Sequence, residues 1–212
     1  LTPRMALQSC KISNVNTAWR STRNQLASFF ETRKPGQTAY NVFMSQNMDR
    51  ARVHFTKEQA RNYWCVADNF VVSLGSLIPA IEVSETEDYF VSDILVGDTP
   101  VTPETTLLDF TVAVVGCNGD RFHLGDRLTM LVFEQEERPE GQCRQILVES
   151  HTILLSDSVR EYFHKPLGTE MFRGEGGRLV YPRKEGRLVA WVQSRPQAKG
   201  PDRVTTQCLV GR

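Results

Sequence analysis

The spacing of apolar residues changes near residue 69 of this 212-residue chain. Before that point, apolar side chains recur at helical spacing on one stripe, which comprises Met5, Ile12, Val15, Trp19, Leu26 and Phe29. After it, apolar and polar residues alternate with a period of two, which is typical of half-buried strands. The pattern therefore predicts a helical segment over residues 1–62 and a β-sandwich domain over residues 63–212.

Two helices are predicted in the first region. Thr2 followed by proline is a typical helix start, and the breaker at Lys34–Gly36 ends a helix of roughly 28 residues. A second helix fits Thr38 to about Val53, and the short connection favours an antiparallel helical hairpin. Thr56 and Gln59 have the spacing of a capping box, which predicts a further helical turn.

The second region has the alternation and the turn residues of antiparallel strands. Strands are predicted at residues 70–74, 108–114, 128–133, 145–155, 178–181, 187–193 and 204–210. Asn118–Gly119 predicts a hairpin turn between two of them, residues 174–177 predict another turn, and Asp157 can begin a short helix. Six or seven strands favour a sandwich of the immunoglobulin or fibronectin type III kind. The expected fold is therefore α+β, with an N-terminal helical hairpin followed by an antiparallel immunoglobulin-like β-sandwich.

The formal net charge is zero, but the charges are unevenly distributed. Residues 1–62 hold ten Lys or Arg and three Asp or Glu, a net charge of +7, and residues 63–212 hold the balancing −7. Residues 82–109, which are predicted to form a strand and a loop, contain eight acidic residues and no basic one. Such polarity fits a basic end that binds nucleic acid, a basic end that docks on a neighbouring protomer, or two regions that face each other within one fold. The candidate interface residues are Arg4, Lys11, Arg20, Arg23, Glu85, Glu87 and Asp88.

The sequence motifs of common catalytic and metal centres are missing. The four histidines are scattered without metal-ligand spacing, and there is no GxSxG motif. Residues 174–177 are glycine-rich but lack the Lys-Ser/Thr of a phosphate loop. Asp120, Asp126 and Glu134 could bind calcium, although surface charge is the simpler interpretation. We therefore predict no catalytic residues, no metal ligands and no cofactor, and a protein that is not an enzyme.

Aromatic residues and cysteines leave alternatives open. Trp64, Tyr181 and Trp191 could hold a sugar ring if they lie on the surface of the sandwich, and core packing is the alternative. The five cysteines contain no CxxC pair, so free thiols are expected, and one disulfide such as Cys117–Cys143 is the alternative.

The longest apolar runs of the sequence are too short to cross a bilayer.

Several short motifs together resemble those of an uncharacterised bacterial family, catalogued as a domain of unknown function. They are Thr2-Pro3-Arg4, Ala39-Tyr40-Asn41, Ser73-Leu74-Gly75-Ser76-Leu77, Gly186-Arg187-Leu188-Val189-Ala190-Trp191 and Leu209-Val210-Gly211. The resemblance implies an immunoglobulin-like β part without established catalytic residues. Members usually begin with a glycine-rich basic stretch, so a segment before Leu1 is expected. The acidic residues 82–109 and the Glu-rich residues 134–142 depart from the family pattern.

The leading functional hypothesis is a non-enzymatic structural or interaction protein. Its partners would be copies of itself or other subunits of a bacterial surface appendage or a phage-like particle, which would place it at the cell surface or in the particle. A carbohydrate- or ligand-binding module is the second hypothesis. Nucleic-acid binding through the basic first helix is the third, because no nucleic-acid-binding signature accompanies the charge.

Overall fold

The computed structural model describes residues 2–31, 34–51, 67, 69–136 and 145–211. Its helices are α1 (Pro3–Leu26), α2 (Ala39–Asn47), α3 (Leu107–Cys117) and α4 (Val159–Tyr162), with short 3₁₀ turns at Gly119–Arg121 and Glu175–Gly177. Its strands are β1 (Val71–Ser73), β2 (Val83–Glu85), β3 (Tyr89–Leu95), β4 (Arg127–Glu136), β5 (Gln145–Leu154), β6 (Phe172–Arg173), β7 (Arg178–Pro182), β8 (Arg187–Arg195), β9 (Arg203–Val204) and β10 (Gln207–Cys208). The α+β class is therefore confirmed.

Helix α1 begins where the sequence predicts. The Thr2 hydroxyl accepts a hydrogen bond from the Met5 N–H, which satisfies one of the free amides of the first turn. The helix has 24 residues and is shorter than predicted, because the chain leaves it to form a parallel bridge between Phe30 and Leu74, the residue after β1. Leu74 donates its N–H to the Phe29 carbonyl at 2.9 Å, and Glu31 donates to the Leu74 carbonyl at 2.9 Å.

Helix α2 is fixed at both ends by polar side chains. The Thr38 hydroxyl accepts from the Asn41 N–H at its start. At its end, the buried Asn47 amide donates to the Val71 carbonyl at 3.0 Å and accepts from the Val71 N–H at 2.7 Å. The helix contacts α1 through Trp19, Tyr40 and Phe43. The helix ends before the predicted position near Val53, and residues 48–50 form a turn. The predicted turn at Thr56–Gln59 lies outside the described residues, and the antiparallel hairpin stays a prediction.

The strands form three sheets with antiparallel pairing. Sheet one pairs β1 with β10, sheet two has the order β2-β3-β7-β6, and sheet three has the order β5-β4-β8-β9. We call the third the central sheet, because apolar cores lie on both of its faces. Antiparallel sheets are thus confirmed, and the immunoglobulin-like topology stays a prediction.

The alternation within β4 and β8 builds the two cores. Leu131, Phe133, Leu188, Ala190 and Val192 face the first core, which they share with α1, α2 and β1. Leu128, Met130, Val132, Val189 and Trp191 face the second core, which they share with sheet two, α3 and α4. Successive residues of a strand point to opposite faces, so two apolar faces require the nearly continuous apolar runs that these strands have.

The predicted strand at residues 108–114 is wrong, because this segment is helix α3. Its apolar residues fit both the period of two of a strand and the period of 3.6 of a helix, and the local capping favours the helix. The Thr106 hydroxyl accepts from the Asp109 N–H and donates to the Asp109 carboxylate, while Phe110 and Val114 pack into the second core. The predicted hairpin turn is also wrong: Asn118 ends the helix and bonds through its side-chain amide to the Val114 carbonyl at 2.7 Å.

The C-terminal segment differs from the single strand predicted at residues 204–210. Strand β9 pairs with β8, whereas β10 pairs with β1. Between them, the Thr205 carbonyl accepts a hydrogen bond from the Ser73 hydroxyl at 2.6 Å. The chain thus crosses from the edge of the central sheet to β1. The turn at residues 174–177 and the short helix after Asp157 are confirmed.

Candidate functional site

Helix α1 consists of two halves with opposite surroundings. In its C-terminal half, Asn14, Val15, Ala18, Thr22 and Leu26 are buried. In its N-terminal half, none of the side chains from Arg4 to Ser13 is buried. Met5 and Ile12 of the predicted apolar stripe are 55% and 46% exposed, so the N-terminal half projects from the core.

The basic residues of α1 lie on two sides of the helix. At about 100° per residue, Arg4 and Lys11 lie within about 20° of the line of the buried Thr22, whereas Arg20 and Arg23 lie about 100–160° away from it. The side that packs on the core in the C-terminal half is therefore basic in the N-terminal half, where packing stops. None of these four side chains forms an ion pair with a residue that the structure describes.

The negative charge of residues 82–109 is partly neutralised by arginines of the β-rich part of the chain. Three of its carboxylates bind arginines, in the pairs Glu85–Arg183, Asp93–Arg121 and Asp98–Arg173. The hydrogen bond from Arg183 raises the pKa of that guanidinium further and holds Glu85 against sheet two. Glu87 and Asp88, at the tip of the β2–β3 hairpin, are exposed and form no ion pair within the described part of the chain. Only the tip therefore offers free negative charge among the three candidate acids.

The candidate aromatic residues do not form a surface cluster. Trp191 is fully buried and Tyr181 is 5% exposed, and both pack in the second core. Burial of the Tyr181 hydroxyl raises its pKa. Neither ring offers a face to a sugar. Trp64 lies outside the described residues.

Asp126 is the centre of a buried polar cluster at one end of the central sheet. Its carboxylate accepts from Arg195 at 2.7 and 2.8 Å, from the Gln193 amide at 2.7 Å and from the His123 N–H at 3.0 Å. Burial alone would raise the pKa of Asp126, but these hydrogen bonds outweigh it and the pKa is lowered. Both carboxylate oxygens accept hydrogen bonds from the protein, so the cluster ties the start of β4 to β8 rather than presenting a reactive group.

The three residues considered for calcium lie apart. Asp126 precedes β4, Glu134 lies towards the other end of that strand and binds Arg187 at 2.7 Å, and Asp120 is exposed in a 3₁₀ turn. Hydrogen bonds from Arg187 lower the pKa of Glu134. Within the described ranges, no group of three or more His, Cys, Asp or Glu could hold a metal ion.

A groove lies over the same end of the central sheet, on the face opposite to Asp126. It has a volume of about 700 Å³ and is open to solvent. Its floor is formed by β4, β5, β8 and β9, and its walls are the end of α1 and the loop at residues 200–202. We call it the hydroxyl groove and define it by Asn24, Gln25, Ser28, Phe29, Arg127, Thr129, Ser150, Thr152, Ser194, Gly200, Pro201, Asp202 and Val204.

Most polar side chains that define the hydroxyl groove lack hydrogen-bond partners among the described residues. Thr129 and Thr152 share a hydrogen bond of 3.0 Å, and Arg127 binds Asp202 at 2.9 Å. By contrast, the side chains of Asn24, Gln25, Ser28, Ser150 and Ser194 form no hydrogen bond with a described residue. The residue Ser194 is only 4% exposed, and the Gln25 carbonyl oxygen is buried without a partner.

Sequence reasoning missed the hydroxyl groove, because its residues are distributed from Asn24 to Asp202. One feature of the sequence gives a weak indication of the groove. On the helix-facing side of β4 and β8, the apolar alternation is broken by Thr129 and Ser194, at the end of the sheet where the groove lies.

Three cysteines of the described part carry free thiols, namely Cys10, Cys117 and Cys208. The bridge considered between Cys117 and Cys143 is therefore not formed at Cys117, and Cys143 lies outside the described residues. Among the helices that the structure describes, none is long and apolar enough to cross a membrane.

Comparison of the chain with protein-family models, with curated proteins and with solved structures gives no match. The resemblance to the bacterial family therefore stays a prediction, and the functional argument depends on the surfaces described above.

Proposed function

We propose that this chain is a non-enzymatic interaction protein that assembles head to tail, with the projecting half of α1 docking on the β2–β3 hairpin of a neighbouring copy. The observation that carries the proposal is the division of α1. Its C-terminal half is anchored in the core, and its N-terminal half continues into solvent with exposed Met5 and Ile12.

An unsupported helical segment gains stability by packing. Short helices are marginal in water, and most helical stability in proteins comes from a buried face. Met5 and Ile12 are seven residues apart and lie on one side of the helix, where a neighbour could cover them. A partner surface that covers them would remove exposed apolar area from water.

The charges favour a second copy as the partner. Arg4 and Lys11 of the projecting half lack ion pairs to described residues, and so do Glu87 and Asp88 at the hairpin tip. Two complementary patches on one molecule make a heterologous contact, which generates rings or filaments. This geometry fits a subunit of a bacterial surface appendage or a phage-like particle, which is the class of assembly that we propose.

The first test is the solution mass by light scattering after size exclusion, with electron microscopy of large species. We expect concentration-dependent oligomers that weaken as salt screens the charged contact. A protein that stays monomeric at every concentration and at low salt contradicts the proposal.

Reciprocal charge reversal identifies the contact. The variant Arg4→Glu with Lys11→Glu carries acids on both patches, and the variant Glu87→Lys with Asp88→Lys carries bases on both, so each should be monomeric alone. An equimolar mixture should assemble again, because each helix then meets a hairpin of opposite charge.

The matched control changes the anchored C-terminal half of the same helix. Arg20→Glu with Arg23→Glu alters the charge of α1 equally, but away from the projecting half, and should leave assembly unchanged. The same control separates nucleic-acid binding, for which this double reversal should abolish salt-dependent binding to DNA or RNA.

A further inference from the structure

We infer that the hydroxyl groove is a binding site for a small, neutral, polyhydroxylated ligand of the size of a mono- or disaccharide. The inference is independent of the proposed assembly, because it depends on a different part of the molecule. It also differs from the aromatic sugar site considered from the sequence, since neither Tyr181 nor Trp191 is part of the groove.

The depth of Ser194 is the first argument. Ser194 is 4% exposed, so little of this residue reaches bulk water. Its hydroxyl has no partner among the described residues, the oxygen is not fully buried, and the side chain lines the groove. A polar side chain that lines a cleft without a protein partner is available to a ligand. A ligand or ordered water in the groove would supply the missing partner.

The convergence of polar groups is the second argument. Ser28 and Asn24 come from the end of α1, Ser150 from β5 and Ser194 from β8, so elements far apart in sequence bring their free hydroxyl and amide groups to one place. Next to them, the Gln25 carbonyl oxygen would gain a hydrogen bond if its amide turned towards a donor in the groove. Convergent polar groups in a cleft of about 300–1,000 Å³ are typical of small-molecule sites.

The charge of the groove selects the ligand class. Among the lining residues that the structure describes, Arg127 and Asp202 are the only charged ones, and they bind each other at 2.9 Å. These residues therefore offer an ionised ligand no uncompensated charge. Hydroxyl and amide groups both donate and accept hydrogen bonds, which matches the hydroxyl groups of a sugar or polyol.

The shape of the lining sets the mode of binding. Phe29, Pro201 and Val204 supply apolar contacts for the C–H groups of such a ligand, but Phe29 is only 9% exposed and offers no ring face for stacking. Recognition must therefore come from hydrogen bonds, and the removal of one hydroxyl should weaken binding measurably.

The test is a titration of the ¹⁵N-labelled protein with glucose, maltose and glucose 6-phosphate, monitored by amide chemical shifts. We expect saturable shifts at Ser150, Thr152 and Ser194 with the neutral sugars and much weaker binding of the phosphate. Ser194→Ala should weaken binding by about 2- to 10-fold, which corresponds to the loss of one hydrogen bond.

Three further variants separate effects on binding from effects on folding and assembly. Ser28→Ala changes an exposed residue after α1 and should also weaken binding, with no effect on the sheet. Ser84→Ala changes an exposed serine of sheet two, outside the groove, and should bind as the unchanged protein does. The variant Arg4→Glu with Lys11→Glu should retain sugar binding, because its changes lie on the projecting half of α1.

Three results would overturn the inference. The first is the lack of saturable shifts with all three probes, which means that the groove holds only water. The second is binding of glucose 6-phosphate as tight as that of glucose, which contradicts a neutral site. The third is sugar binding that Ser194→Ala and Ser28→Ala leave unchanged, which places the ligand elsewhere.

Discussion

Two polar clusters lie back to back at one end of the central sheet, and they differ in how fully their hydrogen bonds are made. Gln193 and Ser194 are consecutive in β8 and point to opposite faces. On the face of Gln193, the Asp126 carboxylate accepts hydrogen bonds from Arg195, Gln193 and His123. On the face of Ser194, the hydroxyl groove leaves five polar side chains without partners in the described chain.

The difference separates a structural cluster from a binding surface. A polar group whose partners are all within the protein stabilises the fold and has nothing left for a ligand. A polar group that folding leaves without a partner contributes little to stability and can bind something else. Changes at Asp126 should therefore act on folding, and changes at Ser194 should act on binding.

The largest expected effect follows from Asp126→Asn. The Asp126 side chain is 1% exposed, and its replacement leaves the Arg195 guanidinium, which is 22% exposed, without a counter-charge. We expect a loss of about 2–3 kcal/mol in the free energy of unfolding, measured by urea denaturation. Sugar binding in the groove should be unchanged. A loss below about 0.5 kcal/mol would show that the cluster does not stabilise the sheet.

This cluster also shows what the sequence could and could not predict. The positions of strands β4 and β8 and the helix start at Thr2 follow from local patterns, and the structure confirms them. Asp126 was weighed only as a surface charge or a calcium ligand, because its partner Arg195 is 69 residues away in sequence. Long-range partners of that kind leave no periodic signal.

Helix α3 shows how a local pattern can mislead. Residues 108–114 alternate as a strand does, but Leu107, Phe110 and Val114 also lie on one side of a helix. The second core buries that side, and tertiary packing therefore decided between the two patterns. The hydroxyl groove was beyond prediction for the same reason as the Asp126 cluster, since its walls meet only after folding.

A second prediction concerns acid stability. The pKa values of Asp126, Glu31 and Glu134 are all lowered in the folded protein. At Glu31, burial raises the pKa, but hydrogen bonds from Ser76 outweigh it. The unfolded chain has pKa values of about 4 for such groups, so it takes up protons at a higher pH than the folded state does.

The stability contributed by these carboxylates should therefore be complete above about pH 5 and decline as the pH falls below about 4. Urea midpoints measured from pH 7 to pH 3 test this. In Asp126→Asn the decline should be shallower, because one of the three linked groups is gone. An equally steep decline in the variant would contradict the role of Asp126.

A smaller effect is expected for Glu134→Gln. Glu134 binds Arg187 as Asp126 binds Arg195, but its side chain is 37% exposed and its partners include the exposed Lys184. Exposed ion pairs contribute about 0–1 kcal/mol, and we expect a loss within that range in the same urea experiment. If Glu134→Gln cost as much as Asp126→Asn, burial would not be what distinguishes the two carboxylates.

The smallest effect on folding is expected for Ser194→Ala, although this residue is almost as buried as Asp126. Its hydroxyl has no partner in the described chain, so its removal leaves no donor or acceptor unsatisfied, and its backbone pairing with Val204 does not depend on the side chain. We expect a change within about 0.5 kcal/mol by urea denaturation. Since the same variant should weaken sugar binding, Ser194 would then affect ligand binding and Asp126 would affect the stability of the fold. A large loss of stability in Ser194→Ala would instead place this hydroxyl among the structural groups and remove the distinction between the two faces.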